Sequence, residues 1–145
     1  MEMKAALDRF YYELTLSELR LMNESPVLPN ISYKSLLYLD VIEMMPDCTV
    51  SALAEAMRVS KPAVTMKVGE LIRRGLVEKR QSERDRRVYH LRVKPEAMAE
   101  YWSYDRAMRK AIGVVQDRFG RRDVDMFCSI LHAFADVYTK ERTHA

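Results

Sequence analysis

The side chains best suited to chemistry on a charged partner lie between Ser60 and Val93. Ten basic residues stand there against four acidic ones (Glu70, Glu78, Glu83 and Asp85), a net +6 that leaves the rest of the chain at −3. The 145 residues together carry only +3, so the charge is concentrated. A basic patch confined to one motif is the electrostatic footprint of a nucleic-acid binder. The plainer reading is a solvated charged surface, and the order of the residues weighs against it.

That order is SKPAVTMK, then SERDRR between two apolar runs. If the first stretch opens a helix, Val64, Val68 and Leu71 face inward, and Ser60, Lys61, Pro62, Ala63, Thr65 and Lys67 are offered to a partner. Lys61 can donate to guanine acceptors or to phosphate, Thr65 can bond either way, and Pro62 and Ala63 can touch a thymine methyl. Met66, at the flank, can do the same. For Ser60 a plain capping role is as good a reading as a base contact. In the second stretch Arg84, Arg86 and Arg87 crowd a tip that can reach a minor groove, where narrow A·T runs have enhanced negative potential. Asp85 lowers the attraction to DNA, so a pure phosphate patch has no use for it. It can instead hold Arg87 by a charge-assisted pair two residues on, or simply form the turn.

The elements that must position these residues are legible from spacing. Leu53, Ala54 and Met57 share one face of a short helix, about Ser51 to Arg58, capped by Thr49. Arg58 and Val59 make a turn. Ser60 caps the next helix, with Pro62 in its first turn, where a missing N–H costs nothing. Gly75, after Arg73 and Arg74, suits a C-terminal stop. LVEKRQ and VYHLRV then read as two strands. Gly69, inside the helix, costs roughly 1 kcal/mol relative to alanine, and room for close backbone approach is its only evident use.

Residues 31–93 are therefore expected to form a winged helix-turn-helix lobe, with 1–30 and 94–145 as a helical dimerisation lobe. The fold class is mostly α: a winged helix-turn-helix (α+β) with flanking N- and C-terminal dimerisation helices. The flanking helices, about 2–22, 95–119 and 121–142, carry more apolar surface than a small lobe can cover. Leu7, Phe10, Tyr11 and Leu14 stripe the first, and Phe127, Leu131, Phe134 and Tyr138 the last. Packing on the same helices of a second copy is the simplest solution. A crevice between lobes would draw Tyr33, Tyr38, Met45, Met98, Tyr101 and Trp102, apolar bodies several of which have polar tips. Such clefts hold small ligands, here an aromatic effector, although plain core is an equal reading.

Other functions are disfavoured. There is no nucleophile elbow, phosphate loop or metal motif, so an enzyme is the least favoured class. No cofactor is implied. His90, His132 and His144 lack partners at ligand spacing, which disfavours a metal. No apolar run is long enough to span a membrane. The charged N-terminus and two distant cysteines are those of a protein of a reducing, bacterial-type cytoplasm. Cys48 precedes a capped helix, where a thiol pKa can fall, but an ordinary semi-buried thiol is the stronger reading. Cys128, between Phe127 and Leu131, reads as packing. The serious alternative to DNA binding is a winged-helix dimer that binds a protein partner, and the charged helix and arginine tip argue against it.

Across nearly its whole length the chain resembles MarR-family transcription regulators. SALAEAMRVSKPAVTMKVGELIRRGLV and the tip RDRR carry the likeness, with Asp85 and Arg87 matching the family's Asp-x-Arg. The resemblance implies a homodimeric winged-helix repressor or activator on a pseudo-palindromic operator, and related regulators bind phenolic compounds in a place similar to the crevice above. It also implies a minor-groove role for Arg87, with Asp85 orienting it. Two departures stand out. Met66 stands where many members carry arginine, and Val93-Lys94 where many have Leu-Thr, so the helix after the wing lacks a side-chain oxygen cap.

Overall fold

A computed structural model of the chain describes residues 2–24, 28 and 30–144, with the backbone alone for 99–105 and 141–144. The order is α1 (Met3–Glu24), α2 (Tyr33–Met44), α3 (Val50–Met57), α4 (Lys61–Arg73), β1 (Val77–Gln81), β2 (Tyr89–Val93), α5 (Pro95–Arg118) and α6 (Arg121–His144). Residues 1–101 and 102–145 form two compact units, the division falling inside α5.

In the first unit the helix starts are set by local side chains. Ser32, Thr49 and Ser60 accept from the amides of Ser35, Ala52 and Ala63, each satisfying an orphan donor of a first turn. Helix α3 ends on Arg58 in the left-handed region (φ 54°), whose N–H donates to the Ala54 and Glu55 carbonyls. Helix α4 ends before Gly75 (φ 72°), with Gly75 N–H donating to Ile72 and Leu76 N–H to Leu71. These two left-handed residues set the angles at which α3, α4 and β1 leave one another.

The core is the apolar face of each element. Leu36, Tyr38, Leu39 and Ile42 come from α2, Leu53 and Ala54 from α3, and Val64, Val68 and Leu71 from α4. Leu76, Val77, Leu91 and Val93 close it from the hairpin side, and Ala97 from the start of α5. Strands β1 and β2 pair antiparallel, Val77 opposite Val93 and Gln81 opposite Tyr89. The Leu91 N–H donates to the Cys48 carbonyl at 2.7 Å, which ties the loop before α3 to the hairpin. Helix α1 buries none of its described residues, though Met22 packs partly against the core. In the second unit the described side chains are nearly all exposed.

Two expectations change. Gly69 meets no close backbone: a methyl there would have Arg73 Nη1 at 3.5 Å, an ordinary contact. Cys128 is exposed, because nothing in its own unit covers that side of α6.

Candidate nucleic-acid interface

Helix α4 turns Val64, Val68 and Leu71 into the core, so its first two turns show Lys61, Pro62, Ala63, Thr65 and Met66 to solvent. Its polar groups are largely engaged within the helix. Ser60 Oγ accepts from Ala63 N–H (3.3 Å), and Thr65 Oγ1 donates to the Lys61 carbonyl (2.9 Å). Lys67 is not presented like its neighbours. Its ammonium pairs with Glu70 at 2.9 Å and its side chain is only 16% exposed. The hydrogen bond from Lys67 holds the Glu70 carboxyl below its ordinary range, with Arg74 and Arg73 adding to the effect.

The hairpin tip is ordered by three side chains. Asp85 Oδ1 accepts from the Arg87 backbone N–H (3.0 Å) and from Arg87 Nε (3.4 Å). Ser82 Oγ accepts from the amides of Arg84 and Asp85 at 3.3 and 3.4 Å. Gln81 Nε2 donates to the Arg86 carbonyl at 2.6 Å. Arg84, Arg86 and Arg87 are all exposed, Arg87 at 93% of its side chain. Gln81 and Ser82 went unread in the sequence, although a serine opening S-E-R-D is a hydroxyl-turn signal.

The crevice residues separate. Met45 and Met98 line a cavity of about 310 Å³ with Ile42, Cys48, His90 and Val93 among others. The buried Nδ1 of His90 has no hydrogen-bond partner among the described residues. Tyr38 is in the core at 2% exposure and Tyr33 is half exposed, and neither lines that cavity. The Tyr101 and Trp102 side chains lie outside the described residues. Cys48 is buried and desolvation pushes its thiol up, against thiolate chemistry. Between α1 and α2, burial and then the Asp40 charge push the Glu18 carboxyl up, and the Glu18 charge is the main cause of a raised Tyr33 hydroxyl.

The seam residues are uncovered in the single chain. On α1, Phe10 and Tyr11 are exposed, and Leu7 and Leu14 are partly so. On α6, Phe127, Leu131, Phe134 and Tyr138 are exposed, with the last two rings stacked at 5.7 Å. Among the described residues no helix is long and apolar enough to cross a membrane, and no three His, Cys, Asp or Glu side chains gather as a metal site.

Comparison with known proteins bears on this geometry. Residues 30–88 match the model of the MarR family. No curated protein sequence matches the chain. Among solved structures, FabT of Streptococcus pneumoniae, crystallised in complex with DNA, is 23% identical with a TM-score of 0.68, over 94% of this chain and 95% of that one. A MarR-like regulator of Thermotoga maritima is 15% identical (TM-score 0.63; 96% and 98% covered). The adhesin competence repressor AdcR of Streptococcus pyogenes is 16% identical (TM-score 0.60; 95% and 98% covered). The fold is shared along almost the whole of each chain.

Proposed function

We propose that this chain, whose residues 30–88 are a MarR-family winged helix-turn-helix, is a sequence-specific regulator of transcription that binds double-stranded DNA. It acts as a homodimer on a pseudo-palindromic operator, represses, and is released by a small aromatic ligand. MarR-family regulators are transcription factors, and no enzymatic step belongs to this reading. The observation that carries it is the pairing, within one folded unit, of an α4 whose first two turns face solvent with a hairpin tip of three exposed arginines. A helix of that kind suits the major groove and an arginine-bearing tip the minor groove. The DNA-bound relative supports the same assignment.

The homodimer is supported by the uncovered apolar side chains of α1 and α6, which in water favour association. A two-fold dimer offers two α4 helices to half-sites about one helical turn apart. The effector is supported by the cavity between Met45, Met98 and His90, whose wall mixes apolar side chains with the polar Glu43, Asp47 and Arg92, and by the buried His90 Nδ1, which has no hydrogen-bond partner among the described residues.

The test is a gel shift with genomic fragments over a salt series. Log affinity should fall linearly with log salt as counterions are released. Equal affinity for single strands, or a flat salt response, would sink the DNA reading in favour of a protein-binding winged helix. Titrating aromatic compounds against operator binding tests the effector, and a broad panel without effect removes it.

A further inference from the structure

The surface that α4 shows to solvent is unusually poor in free hydrogen-bonding groups for a helix that is to read bases. Ser60 Oγ is taken by the Ala63 amide, the Thr65 hydroxyl proton by the Lys61 carbonyl, and the Lys67 ammonium by Glu70. Beyond the Lys61 ammonium and the spare capacity of the two hydroxyls, what remains is apolar. Pro62, Ala63 and Met66 are all exposed, Met66 at 73%. Ala63 and Met66 are three apart and Pro62 and Met66 four apart, so the three share one face of the helix. Val59, just ahead of the cap, is a further apolar side chain left 40% exposed. An apolar stripe at this spacing ordinarily faces a core, but here Val64, Val68 and Leu71 already fill that role on the opposite side. Basic residues flank the stripe, with Lys61 at its head and the arginines of the hairpin tip beyond, so the complementary surface is an anionic one that carries apolar groups. The major groove of DNA is such a surface, and its only apolar projection is the C5-methyl of thymine.

We propose that α4 reads its operator chiefly through thymine methyl groups packed against Pro62, Ala63 and Met66, with hydrogen bonds to base edges secondary. This rests on the DNA-binding reading above and specifies which base chemistry is read. Met66 suits the part, because an unbranched, polarisable thioether adapts to a methyl whose position shifts with local DNA shape. The operator half-site should therefore hold thymines, on either strand, where α4 crosses it.

The experiment selects a bound duplex from genomic fragments, then replaces each thymine singly with deoxyuridine, which deletes the methyl and leaves both Watson–Crick and major-groove hydrogen-bonding atoms in place. Binding is followed by fluorescence anisotropy at one salt concentration. Burial of one methyl group corresponds to roughly a fourfold change in affinity. Replacement at one or two positions per half-site should thus weaken binding about fourfold each, and elsewhere should do nothing. Met66→Ala should bind the thymine duplex more weakly and lose part of its discrimination between thymine and uracil. Because Met66 is largely exposed, this variant should melt like the parent chain. Duplexes in which uracil at every position binds as tightly as thymine, while sequence preference persists, would overturn the inference and leave the DNA reading standing. Failure to prefer any duplex over single strands would overturn both.

Discussion

Asp85 offers a test in which charge and positioning can be told apart. Its carboxylate accepts from the backbone N–H and Nε of Arg87. A bond at Nε restrains the first three side-chain torsions of the arginine. Immobilising an arginine costs about 1.5–2 kcal/mol in rotamer freedom. The Nε contact is long, so Asp85 removes about half of that before DNA arrives, about 0.7–1 kcal/mol. Deleting the carboxylate has a second, opposite effect, because it removes a negative charge beside the phosphates. At about 8 Å in water that charge is worth about 0.5 kcal/mol before screening. Asp85→Ala and Asp85→Asn remove the same charge, but only asparagine keeps an oxygen for the Arg87 amide and guanidinium. The charge contribution cancels between the two variants. Asp85→Asn should therefore bind operator about three- to fivefold more tightly than Asp85→Ala, measured by anisotropy at 0.15–0.2 M salt, concentrations chosen to shorten the Debye length to about 8 Å or less. Both should melt within about 1 kcal/mol of the parent, since the pair is exposed. Equal affinities for the two variants, or tighter binding by Asp85→Ala, would show that Asp85 does not aim Arg87.

Three further outcomes are expected. Gly75→Ala should cost about 1–2 kcal/mol in urea unfolding because φ is 72° there with space around it, whereas Gly69→Ala, in helical backbone with room for a methyl, should gain about 0.5–1 kcal/mol. Glu18 has a folded-state pKa above its ordinary 4.5, so it favours folding when protonated, and that contribution is lost as pH rises through the raised value. Glu18→Gln should consequently raise the melting temperature at pH 7 and change it little at pH 4, and a shift of equal size at both would refute the burial argument. Leu131→Glu, at a 43% exposed position of α6, should convert a sedimenting dimer to a folded monomer, and an unchanged dimer would place the seam elsewhere.

Much of the fold was legible because its determinants are local. The caps at Ser32, Thr49 and Ser60 act on amides three residues away, and the stop at Gly75 acts within one turn. The period of Val64, Val68 and Leu71 put one face of α4 inward before any partner was known. The hairpin followed from two apolar runs around SERDRR, and its strands came out one residue shorter at their outer or inner ends, Val77–Gln81 and Tyr89–Val93. The pairing of Asp85 with Arg87 was open to inspection for the same reason, a separation of two residues.

Composition and spacing alone thus established the winged helix-turn-helix, the concentration of positive charge on it, and the surplus of apolar surface on α1 and α6. Tertiary structure decided what each exposed-looking or buried-looking side chain actually meets. Tyr33 and Tyr38 lie on one helix and have one chemistry, yet one is half exposed and the other is core, because only the second is enclosed by the buried cluster. Cys48 reads from sequence as an ordinary semi-buried thiol beside a helix start, but only the fold buries it fully: the bond from Leu91 draws its backbone against β2, and desolvation raises its pKa. Each of these outcomes depends on desolvation or on a partner's rotamer, and neither is a function of residue type and spacing: a side chain's environment is set by atoms that folding brings to it, often from far along the chain.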